Sequence, residues 1–168
     1  MGFGLRWRKW MQECLSSAKI SVLVNGKPSN MFDIKRGLRQ GCPFSPLLFN
    51  IVGEALSSLF RKANDMGIIE GVSIGNSGTK VSHLQFADDL IVFANGERKN
   101  MINIKRLLRI FELAAGLSLN LRKTNFFGIS VDNLKVEEWA IDLGCKAGSL
   151  PSTYLGMPLG ATRNCVKL

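Results

Sequence analysis

Asp88 and Asp89 stand side by side between apolar residues, with Leu84 and Phe86 before them and Leu90, Ile91, Val92 and Phe93 after. Runs of this kind bounded by a short polar pair read as two strands, 81–87 and 90–94, separated only by the two aspartates. A two-residue hairpin loop usually carries Gly where φ must be positive, and none is present here. Adjacent carboxylates repel each other, and a divalent cation bound between them removes that repulsion. The pair is therefore either a metal site or a solvated turn.

A second group of residues lies at Arg36-Gly37-Leu38-Arg39-Gln40-Gly41-Cys42-Pro43-Phe44-Ser45-Pro46. Two arginines, backbone amides freed by the glycines and a helix start at Ser45 and Pro46 make a corner suited to phosphate. An ordinary connecting loop is the alternative. A third group is the basic set Arg98, Lys99, Lys105, Arg106 and Arg109, which is either a nucleic-acid face or the wet side of a helix. His83 reads as a strand residue packed on a neighbour. Lys123 follows a strand and can donate to a phosphate. Trp7, Trp10 and Trp139 read as core or edge packing.

The elements that must position these residues follow from periodicity. Trp7, Met11, Cys14, Leu15 and Ala18 share one helical face over 7–18. Asn25-Gly26 between extended runs predicts a hairpin in which 31–35 pairs back on 20–24. A helix from Pro46 to about Asn64 is apolar at Leu48, Ile51, Val52, Ala55, Leu56, Leu59 and Phe60. Residues 67–79 read as Gly-rich turns. The clearest amphipathic helix covers 97–115, with Met101, Ile104, Leu108, Phe111 and Ala115 opposite the basic set and Gly116 as its stop. Short strands are expected at 117–121 and 125–129, a helix near 134–143 and an extended, turn-rich piece at 154–160. Helices alternating with antiparallel hairpins give an α+β fold, an antiparallel sheet with helices packed on one face.

Length and composition narrow the function classes. The chain has 168 residues, 46% of them hydrophobic, which suits one domain with a core. Lys and Arg number 22 against 13 Asp and Glu, a formal charge of +9, which points to a polyanionic partner. The longest charge-free stretch, 147–162, contains two prolines and three glycines, so no membrane span is expected. Four scattered cysteines without a C-x-x-C pair argue against a zinc site or a disulfide framework and fit an intracellular chain with reduced thiols, in nucleus or cytoplasm.

The order of motifs carries more than any one of them. The Arg-Gly-Leu-Arg-Gln-Gly loop and its helix come first, then Phe86-Ala87-Asp88-Asp89, a helix, Gly116-Leu117-Ser118-Leu119-Asn120-Leu121-Arg122-Lys123-Thr124, and last Tyr154-Leu155-Gly156-Met157-Pro158-Leu159-Gly160. This order resembles the palm of reverse transcriptases of LINE-type non-LTR retrotransposons, plant lineages in particular. Ala87 favours that class over retroviral enzymes, where a larger hydrophobe is usual.

The resemblance implies a partial polymerase palm and RNA-directed DNA synthesis with an RNA template, a DNA primer and a deoxynucleoside triphosphate. It implies Asp88 and Asp89 as ligands of two Mg²⁺ ions, and Lys123 beside the leaving pyrophosphate as a general acid. Arg39, Gln40 and Gly41 would contact nucleotide and template, and Tyr154, Leu155 and Gly156 the primer end.

The sequence departs from the pattern at Cys42, where the family usually has Asp, and at Phe44, where it usually has Leu. The family's further metal-binding Asp, on a strand ahead of the matched region, has no counterpart among the 168 residues, and fingers and thumb are also unmatched. Asp33 lies in the hairpin before the Gly-rich loop and does not replace it. The expectation is a palm portion that does not polymerise by itself. A non-catalytic nucleic-acid-binding α+β module and an α+β interaction domain are the rival classes.

Overall fold

The computed structural model describes residues 2–34, 41–75 and 78–160. Two compact units divide at Pro46 and Leu47. The first holds α1 (Leu5–Ser16) and four two-residue strands, β1 (Lys19–Ile20), β2 (Leu23–Val24), β3 (Lys27–Pro28) and β4 (Phe32–Asp33). The expected hairpin forms around Asn25 and Gly26, both at positive φ (51° and 78°), the backbone state a tight strand-to-strand reversal requires. Its pairing is split. Leu23 and Val24 pair with Pro28 and Lys27, whereas Ile20 pairs with Phe32. Between the two ladders the Ser29 hydroxyl accepts from the Val22 amide and the Ser21 hydroxyl donates to the Ser29 carbonyl.

None of the described residues of this unit is buried. Trp7 stacks on Phe3 with ring centres 4.1 Å apart. Trp10 is 54% exposed beneath the Arg6 guanidinium, a surface position and not the packed one expected.

The second unit contains the core. α2 (Ser45–Asp65) supplies Leu56, Phe60 and Ala63, α3 (Arg98–Ala115) supplies Met101, Ile104 and Leu107, and α4 (Asn133–Leu143) supplies Trp139; Ile69 completes the cluster. Phe60 is fully enclosed. Asp132 caps α4 by accepting from the Leu134 amide, and Gly116 and Gly144 end α3 and α4 in the left-handed region. Asn100 is buried but satisfied: its carbonyl oxygen accepts from the Glu70 amide and its NH₂ donates to the Asn95 carbonyl. Among the described residues no helix is long and apolar enough to cross a membrane.

The remaining strands are β5 (Val72–Ile74), β6 (Thr79–Val81), β7 (His83–Phe86), β8 (Asp89–Val92), β9 (Asn125–Phe126), β10 (Lys146–Ala147), β11 (Ser152–Tyr154) and β12 (Met157–Leu159). The fold is mixed α+β as expected, but the single antiparallel sheet is not formed among the described residues. The strands make six separate two-stranded ladders, and β9 with β10 is parallel. Strands of two to four residues, half of them closed at once by a two-residue turn, offer too short an edge to recruit a third. Residues 117–121 form no strand, whereas 72–74, within the stretch 67–79 read as turns, pair as β5 with β6.

His83 behaves as a packed strand residue. Its ring stacks on Phe60 at 4.8 Å, with Nε2 3.0 Å from the Ser57 hydroxyl and Nδ1 3.1 Å from that of Ser82. Burial, and secondarily the Arg61 charge, hold its pKa below the ordinary 6.5. The folded state therefore resists protonation while the unfolded chain accepts it. Stability is full above the ordinary value and falls as pH drops from there through the lowered folded value. The melting temperature should fall more between pH 7.5 and pH 5.5 for the natural chain than for His83→Gln. Phe60→Ala should cost about 3–5 kcal/mol in a denaturant titration, since it empties the centre of the core.

Candidate metal and nucleic-acid site

Phe86 pairs with Asp89, so the two-residue loop of the β7–β8 hairpin is Ala87-Asp88. This corrects the sequence reading by one residue: Asp88 occupies the tip, and Asp89 begins the return strand. Ala87 takes φ +50°, the left-handed position that Gly would usually fill. The Gln85 amide donates to the Ala87 carbonyl at 3.2 Å and braces the turn. Both aspartates are exposed, and among the described residues neither has a cationic partner.

Strand alternation sets which way the hairpin faces. His83 and Gln85 lie on the same face as their pairing partners Val92 and Leu90, and this face packs on the core. Gln85 sits against Gly53 of α2, where an added Cβ would lie 3.3 Å from the Gln85 amide nitrogen. The opposite face carries Leu84, Phe86, Asp89 and Ile91. Leu84 and Phe86 are 52% and 65% exposed, so on β7 the polar residues take the inner face and the apolar ones the outer, while β8 turns Leu90 and Val92 inward.

Beneath the tip lies a cavity of about 190 Å³ between α2, the hairpin, the end of α3 and residues 117–119. Asp88, Gln85, Phe111 and Glu112 line it with Leu117 and Leu119. Glu112 accepts from the Arg109 guanidinium at 2.9 Å and from the Leu119 amide at 2.6 Å, and these bonds hold its carboxyl below the usual range. Glu112 and Gln85 were not singled out in the sequence. The signal for Glu112 was its place one turn before Gly116; for Gln85 it was the polar alternation with His83.

Tyr154 joins this site. Tyr154 ends β11, Leu155 and Gly156 form the tight turn at φ 51° and 77°, and the Tyr154 hydroxyl donates to the Asp89 carbonyl at 3.4 Å. Lys123 is exposed in a turn whose backbone is tied to Asn120, and no hydrogen bond or ion pair links it to either aspartate. Arg39 and Gln40 lie outside the described residues. Gly41 is described, at φ +77° and exposed, in the first unit.

The basic side of α3 is partly occupied within the fold. Arg98 donates twice to Asp142 of α4, at 2.8 and 3.1 Å, Lys105 donates to the Asp142 carbonyl at 2.6 Å, and Arg109 holds Glu112. Three of the five cations expected to face nucleic acid thus fasten the fold to itself.

Among the described residues no group of three or more His, Cys, Asp or Glu is placed to hold a metal. Two acidic side chains remain. They suit Mg²⁺, which commonly takes one or two protein carboxylates and completes its shell with water and substrate phosphates.

Comparison with known sequences supplies the context. The family described as "Reverse transcriptase (RNA-dependent DNA polymerase)" matches residues 2–159. An uncharacterized mitochondrial protein of Arabidopsis thaliana is 43% identical over 67 residues, covering 40% of this chain and 55% of that one. A retrovirus-related Pol polyprotein from a type-1 retrotransposable element of Popillia japonica is 35% identical over 83 residues, 49% of this chain and 13% of its own length. Another, from a type-2 element of Drosophila melanogaster, is 31% identical over 120 residues, 71% of this chain and 10% of its own. The chain thus spans about half of the first relative and a small part of the two polyproteins.

Tyr154 is the one tyrosine of the chain and reports on the tip. Mn²⁺ titrated into the protein should broaden the Tyr154 ring resonances before those of His83. Asp88→Asn combined with Asp89→Asn should remove that difference. Equal broadening of both rings in the natural chain would place the ion away from the hairpin.

Proposed function

The chain belongs to the reverse transcriptase family, in its non-LTR retrotransposon branch, and from that premise we propose that it supplies the palm of an RNA-directed DNA polymerase. The family generally works with divalent metal ions on a nucleic-acid template and primer. The observation that carries the proposal is the β7–β8 tip: two exposed carboxylates, unpaired among the described residues, on a hairpin seated on α2 and touched from the far side by Tyr154.

In this reading Asp88 and Asp89 hold Mg²⁺, which when bound neutralises charge on the attacking and leaving oxygens of nucleotidyl transfer. The chain's own residues set the geometry. Gln85 fixes the turn that presents Asp88, and Tyr154 restrains the backbone that presents Asp89. The role of Tyr154, Leu155 and Gly156 at the primer end is supported by the Tyr154 contact with Asp89. The family resemblance supports assigning Arg39, Gln40 and Gly41 to the nucleotide and template, and Lys123 to the leaving pyrophosphate. A non-catalytic nucleic-acid module is the weaker reading, because Arg98, Lys105 and Arg109 already bond within the fold.

Among the described residues the tip brings two carboxylates together, and the family's further Asp would add another anchor. Residues 1–168 should bind primer–template without extending it. Log affinity should fall with log salt at about 0.7–0.9 per phosphate contact. Joined to a segment bearing the family's further Asp, the chain should extend the primer with Mg²⁺. Asp88→Ala should lower that synthesis about a thousandfold, the effect of losing several kcal/mol of charge stabilisation. Synthesis unaffected by Asp88→Ala would refute the assignment.

A further inference from the structure

A second cavity, of about 330 Å³, opens where β6 and the start of β7 cross the last turns of α2. Arg61 and Asn64 line it from α2, and Lys80, Ser82 and His83 from the strands; no carboxylate is among the lining residues. We propose that this cavity binds a phosphate group, through the Arg61 guanidinium and the Lys80 ammonium with the Asn64 amide and Ser82 hydroxyl as neutral donors.

The three nitrogen donors have capacity to spare, whereas the Ser82 hydroxyl already meets His83 Nδ1 at 3.1 Å and must turn from it to donate. The Lys80 ammonium has no hydrogen bond or ion pair among the described residues, its residue being held in the β5–β6 ladder by backbone pairing with Ser73. Arg61 meets Glu54 through one nitrogen at 3.5 Å, with both side chains more than half exposed, a pair too long and too wet to hold the guanidinium away from a stronger anion. The Asn64 carbonyl oxygen accepts from the Gly71 amide, which leaves its NH₂ free to donate. Two cations lining one cavity repel each other, and an anion between them relieves that repulsion. The guanidinium offers a planar fork that matches phosphate oxygens.

The neighbouring charges agree. Arg61 and Lys80 are the charged groups lining the cavity beside His83, and neither favours an imidazolium. Arg61 helps to hold the His83 pKa down, after burial. A phosphate dianion there reverses the sign of the local field and makes the ring easier to protonate.

His83 is three residues before Phe86, the partner of Asp89, so the cavity lies about 10 Å along the hairpin from the tip. It is a separate site, and its occupation does not require the polymerase reading. The phosphate can come from free anion or from a nucleic-acid backbone.

His83 is the one histidine, so its ring resonances report directly on the full-length chain. Sodium phosphate added at constant ionic strength should raise the pH midpoint of His83. Arg61→Gln with Lys80→Gln should weaken that response about tenfold. Arg61→Lys should retain most of it, and Lys99→Gln all of it. In a second arm, a ten-residue oligothymidylate is titrated against salt. A slope shallower by about 1.4 in the double variant identifies backbone phosphate as the ligand, two contacts at roughly 0.7 each. An unchanged slope with the phosphate response intact identifies free anion. A His83 midpoint that phosphate does not move, or moves equally in the double variant, overturns the proposal.

Discussion

The contact between Phe60 and the inner face of the β7–β8 hairpin sets the rest of the second unit. Phe60 is wholly enclosed and the His83 ring lies flat on it. One helical turn earlier Ser57 meets the same imidazole, and two turns earlier Gly53 leaves just enough room for Gln85. A helix and a strand rise at different rates per residue, so three such contacts fix register, distance and tilt together. The aspartates need no packing of their own. They are carried to the surface as the far end of a lever whose fulcrum is the core.

The fold was legible where one residue type had one physical role. Helices with apolar stripes and glycine stops, Asn25-Gly26 as a turn and His83 as a packing residue follow directly from pattern. The hairpin tip was not, because Ala87 occupies a positive-φ position without announcing it by Gly or Asn. Its facing was hidden for a related reason: Leu84 and Phe86 look like the buried set, yet His83 and Gln85 take the inner side through polar contacts that hydrophobicity does not encode. The basic stripe of α3 misled in the opposite direction. Charge spacing shows which side of a helix is wet but not that Asp142 of another helix will claim Arg98 and Lys105.

Site residues separate by how far apart in sequence they must meet. Asp88 and Asp89 are neighbours and were evident. Tyr154 reaches Asp89 across 65 positions through a single hydroxyl, a meeting that neither local pattern nor the resemblance, which gave Tyr154 a role at the primer end, had named. Lys123 shares a motif with Leu117 and Leu119, yet those two line the cavity under Asp88 while the lysine stays in an exposed turn. The motif is thus divided between a wall of the site and its surroundings.

The first unit has a different consequence. α1 is 12 residues long, close to the length at which a helix in water is marginal by itself, and no described residue around it is buried. Backbone amides there exchange with solvent by local fraying. Those in the middle of α2 and α3 wait for the core to open. A deuterium clock run on this chain would therefore show two separate rates of opening.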